Sequence, residues 1–85
     1  MSTEALLTTR NITHGSFEDN ARIAQRLRAF FRSQPGWDPM PDVHREALDN
    51  IALKFSRILS GQADAAQHWE DVAGYAELAR KACTR

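Results

Sequence analysis

The sequence has a single cysteine, Cys83, so no disulfide can form within the chain. A lone thiol fits a reducing compartment. Neither charge is in surplus, because eleven Lys and Arg balance eleven Asp and Glu, and no overall field draws the chain toward nucleic acid or an anionic membrane. No apolar run approaches the roughly 20 residues that span a bilayer. A signal peptide would need a basic segment followed by an apolar one, and Met1 to Asn11 offers only Ala5-Leu6-Leu7. There is no Gly-rich phosphate loop and no serine in an elbow motif. One Cys and three His lack the spacing of a zinc site. Internal repeats and low-complexity segments are missing too. These absences lead us to expect a soluble, intracellular protein without a structural zinc or a Ser or Cys nucleophile.

What is present is helical periodicity. At 85 residues the chain holds at most one domain. A bundle of this size is marginal alone, and oligomerisation is the usual remedy. Residues 1–15 have no sustained period and read as a mobile segment with a short helix around Glu4 to Leu7. Ser16 is placed to cap a first helix from Phe17 to Ser33, with Glu18 and Asp19 at the positive end of its dipole. Ile23, Ala24, Leu27, Phe30 and Phe31 form its apolar stripe, and the arginines spread around the rest. Gln34 to Pro41 carries all three prolines and one glycine, and so makes a stiff connector in which Trp37 and Met40 can plug the bundle end.

A second helix starts near Pro41 or Asp42. Leu48, Ile51, Ala52, Phe55, Ile58 and Leu59 follow the three-four pattern to a stop at Ser60-Gly61. A third helix is expected from Ala65 to Cys83, capped by Asp64 and antiparallel to the second across a short turn. Trp69, Val72, Ala73, Ala76 and Ala79 read as a small-residue seam against helix two. Gly74, costly in mid-helix, reads as a close approach. The fold class is therefore all-α: an antiparallel three-helix unit over 16–85, completed by oligomerisation.

On helix three, Asp64, His68, Asp71 and Tyr75 are spaced four, three and four and project in one line. Glu46, Asp49 and Asn50 cluster within one turn of helix two, and an antiparallel hairpin folded at Gly61 would bring Glu46 and Asp49 toward Asp71 and Tyr75. Carboxylates from facing helices suit magnesium, a hard cation that keeps waters for a phosphate to replace. Glu46, Asp49 and Asp71 are thus candidate metal ligands. Lys54 and Arg57 are candidate phosphate partners, with Arg22 as a further cation, and His68 and Tyr75 complete a nucleotide-binding set. The competing reading makes the carboxylates solvated or ion-paired surface, His68 a satisfied helix histidine, and Trp69 and Tyr75 core or interface aromatics.

His14-Gly15-Ser16-Phe17, Glu46-Ala47-Leu48, Lys54, Arg57-Ile58-Leu59-Ser60-Gly61 and His68-Trp69-Glu70-Asp71-Val72-Ala73-Gly74-Tyr75-Ala76-Glu77-Leu78 together resemble small phage and prophage proteins of unknown function. These look like nucleotide-modification-associated helical domains and, more remotely, MazG-type all-α nucleoside triphosphate pyrophosphohydrolases. The resemblance spans about residues 14 to 80. It implies acidic pairs on two helices holding magnesium for cleavage between α and β phosphates, an obligate oligomer and a place in the host cytoplasm. Glu46 and Asp49 match the first pair and Asp71 the closing Asp of the second, while Gln67 and His68 stand where that pair's other carboxylate belongs. The leading expectation is nucleotide or modified-nucleotide binding with Mg2+ and residual pyrophosphohydrolase activity. The alternative is a non-catalytic phage-encoded protein that inhibits or regulates a host defence protein. DNA binding ranks last, because the helix-one arginines share no face with base-reading Asn or Gln.

Overall fold

The computed structural model describes residues 16–84, so the expected mobile segment 1–15 and the short helix within it lie outside the described residues. Three helices follow in order, α1 (Phe17–Arg32), α2 (Asp42–Arg57) and α3 (Ala66–Lys81), with a π-type turn at Ile58–Gln62 between the last two. The unit is all-α, as expected. No helix among the described residues is long and apolar enough to cross a membrane.

Local chemistry sets the helix ends. Ser16 is extended, and its hydroxyl accepts from Asp19 N at 3.5 Å, with Glu18 and Asp19 in the first turn. Pro41 precedes α2 in extended conformation, which suits a residue that has no N–H to satisfy. Gly61 lies inside the π turn at φ 119°, the one positive φ among the described residues, where a Cβ would be strained. Gly61→Ala should therefore cost about 1–3 kcal/mol even though the space around it is open; a chemical-denaturation midpoint unchanged in that variant would contradict this. Asp64 does not cap α3. Ala65 holds that position without a side-chain bond, because the turn through Ala63 and Asp64 places Asp64 two residues before the helix.

α1 and α3 both pack on α2, and no comparable packing joins α1 to α3. Ion pairs show which flank each helix takes. Arg28 and Arg32 of α1 reach Asp49, while Asp71 of α3 reaches Lys54. At about 100° per residue, positions 49 and 54 lie about 140° apart around α2. The three helices therefore form an open layer with two faces. By the same spacing His44, Leu48, Ile51, Phe55 and Leu59 fall on one face, where Leu59 is exposed and the others are partly buried, and Asp42, Glu46, Asn50 and Arg57 fall on the other.

The apolar face continues onto both neighbours. Ala79 lines a 320 Å³ groove with Met40, His44, Leu48 and Ile51, and Ala76, Val72 and Trp69 extend the same line down α3. On α1, where Arg28 and Arg32 mark the polar side, Ile23, Leu27 and Phe30 fall on the apolar side. The expected seam of Trp69, Val72, Ala73, Ala76 and Ala79 is thus corrected in part: Val72 and Ala79 are partly buried, with Ala79 beside α2. His68, Asp71 and Tyr75 turn toward α2, whereas Trp69, Ala73 and Ala76 are exposed.

The core within one layer is thin. Its buried apolar residues are Ala24, Trp37, Ala47, Ala52 and Ile58, so no Leu or Phe among the described residues is buried. Phe30 is 62 % exposed, Leu59 65 % and Trp69 49 %. Gly74 needs a second correction: nothing lies within 4 Å of the Cβ it lacks, so no close helix approach requires it. Gly74→Ala should stabilise the protein by up to about 1 kcal/mol through helix propensity alone, and a lower melting temperature in that variant would contradict the open placement.

Candidate functional site

Trp37 organises the open end of the polar face. The connector turns on itself through Trp37 N to Gln34 O and Met40 N to Trp37 O, and drives the indole inward until it is 8 % exposed. Phe31 stacks on it with centroids 6.2 Å apart. The Arg32 guanidinium lies 4.6 Å and that of Arg45 5.8 Å from the ring centroid, within cation–π range. Arg45 also donates to the carbonyls of Trp37 and Asp38. Trp37 does plug this end, as its connector position suggests.

Beside it opens an 830 Å³ cleft whose lining includes Arg32, Asp42, Glu46, Asp49 and Tyr75. Arg32 donates two bonds to the Asp49 carboxylate, at 3.2 and 2.9 Å, and Arg28 adds a contact at 3.9 Å. Hydrogen bonding to Asp49 holds the Arg32 guanidinium above its usual range. Glu46 accepts from Asn50 Nδ2 at 3.2 Å. Asp71 lies on the far flank, 2.9 Å from Lys54 Nζ, whose side chain is only 14 % exposed.

The fold therefore brings Glu46, Asp49 and Tyr75 to one cleft and leaves Asp71 with Lys54. Among the described residues, no group of three or more His, Cys, Asp or Glu is placed to hold a metal ion. Of the other nucleotide-binding candidates, Arg57 sits at the end of α2, its Nε covered and without a hydrogen bond. Arg22 pairs with Asp19 on the surface. His68 is 5 % exposed and bonds Gln62 Oε1 through Nε2 at 2.6 Å. With Trp69 Nε1 donating to Ala63 O at 2.8 Å, it ties the start of α3 to the preceding turn.

Sequence reasoning missed Arg28, Arg32 and Arg45 as partners of this region, since contacts 5 to 21 positions apart between different elements carry no periodic signal. It also missed the approach of Cys83 Sγ to His44 Nε2, 3.6 Å apart at the edge of the apolar face. Searched against protein-family models, curated proteins and solved structures, the chain matches none.

Proposed function

We propose that this is a non-catalytic helical binding protein that works as a homodimer, with the apolar faces of two copies closed on each other and the polar faces turned outward. The observation that carries this reading is the open layer, which leaves Leu59 exposed and Leu48, Ile51 and Phe55 only partly buried on one face. Three helices about 24 Å long and 8–10 Å apart offer on the order of 600 Å² per copy. Two such faces reach the lower end of what a stable, specific interface buries. Second copies are available at equal concentration whenever the chain folds, and an isologous pairing satisfies both faces at once. The resemblance of His68–Leu78 to phage proteins extends the proposal to inhibition or regulation of a host protein, a defence protein included.

A second reading, nucleotide binding with Mg2+, draws support from the cleft that Glu46, Asp49 and Tyr75 share with Arg32 and Arg45. It requires the cation and phosphates to displace the Arg32–Asp49 pair. Thermal melts with millimolar magnesium and a panel of nucleoside triphosphates separate the two. A bound ligand would raise stability by RT ln(1 + [L]/Kd); the binding-protein reading expects no shift, and a saturable nucleotide-dependent rise would replace it with the second.

A further inference from the structure

We infer that the polar-face groove between α2 and α3 docks a basic amphipathic helix of a partner protein, an inference that rests on the binding-protein reading above. Two adjoining clefts of 830 and 440 Å³ share Tyr75 and Leu78. Together they run beside residues 42–50 of α2 and 70–78 of α3, a length of about 12 Å, or two helical turns.

The floor offers apolar anchorage: Val43 is 51 % and Leu78 59 % exposed, with Tyr75 half-buried between them. The charge of the groove is unbalanced. Asp42, Glu46 and Glu70 line it, and none of them has an ion-pair partner among the described residues. Among the neighbouring cations, Lys54 is paired with Asp71 and Arg28 and Arg32 share Asp49, while Arg45 donates to the carbonyls of Trp37 and Asp38 and keeps its charge, so the carboxylates remain in excess. A guest helix with apolar residues at i, i+3 or i+4 and flanking Lys or Arg supplies what this surface lacks.

Gly74 adds an independent observation. It weakens α3, lines the groove, and has no neighbour within the chain that a Cβ would meet. Its missing side chain instead leaves space above α3 for a close-lying backbone.

The test uses the full-length protein and two synthetic helical peptides of about 14 residues, or four turns, identical in their leucine stripe but flanked by Lys in one and Glu in the other. The Lys peptide should shift the amide resonances of Val43, Glu46, Gly74 and Leu78, with an affinity that falls as salt is added. Asp42→Lys combined with Glu46→Lys should weaken it at least tenfold. Gly74→Leu should do the same while melting no lower than wild type, which keeps a folding defect apart from a lost contact. Equal binding of the Glu peptide, shifts confined to His44, Leu48 and Leu59, or no shifts at all would overturn the inference. Those outcomes leave the dimer and the nucleotide melts as they stand, so the two readings fail separately.

Discussion

Leu59→Glu is expected to destabilise the protein by about 2–5 kcal/mol and to dissociate it. In a single layer Leu59 is 65 % exposed, and a charged substitution at so exposed a site would change stability by no more than about 0.5 kcal/mol. Across a closed pair of apolar faces the same side chain is buried. Its loss then removes the transfer and packing energy of a core leucine, for which truncation costs about 2–5 kcal/mol, and a carboxylate left in that interface adds its own desolvation cost. One substitution thus gives two well-separated outcomes. Glu46→Lys, which sits on the opposite face, is the control and should leave assembly intact. Equilibrium urea unfolding of both variants, read beside sedimentation, measures the difference.

Asp71→Asn is expected to lower stability by about 1–3 kcal/mol, equally with and without magnesium. The carboxylate lies 2.9 Å from a Lys54 ammonium whose side chain is 14 % exposed. Removing one partner of a buried pair strands the other charge, at a cost of about 3–5 kcal/mol; the 35 % exposure of the Asp71 side chain reduces that figure through solvent screening. A magnesium ligand would behave in the opposite way. Neutralising it would relieve repulsion in the metal-free protein and abolish any stabilisation by the cation. Melts of wild type and Asp71→Asn at both magnesium levels distinguish the two, and a magnesium-dependent rise in wild type that the variant loses would restore the metal site.

The helices were readable because their signals are local. Ser16 with Glu18 and Asp19, the three prolines of the connector, and Gly61 each act within a turn of the boundary they set. The stripe on α2 is equally plain: Ala52 and Ile58 are buried in the core, and Leu48, Ile51, Phe55 and Leu59 lie on the apolar face. Periodicity records which residues are apolar and says nothing of what covers them, so it could not show that α1 and α3 take opposite flanks of α2. That one arrangement accounts for the seam being misplaced. With α3 on the Lys54 flank, His68, Asp71 and Tyr75 meet α2 and Trp69 and Ala76 are left on the open face. It also accounts for the divided carboxylates, because Asp49 turns to α1 and Asp71 to Lys54. The Arg32–Asp49 pair joins residues 17 positions apart, and no spacing rule within a helix reaches that far.

If one layer is half of the folded unit, sedimentation equilibrium of the full chain at micromolar concentration reads that out as a single mass. Wild type should sediment at twice the mass of the 9.6 kDa chain, with the dimer lost in Leu59→Glu. A single species at the mass of one chain, folded by circular dichroism and unchanged by Leu59→Glu, would contradict it.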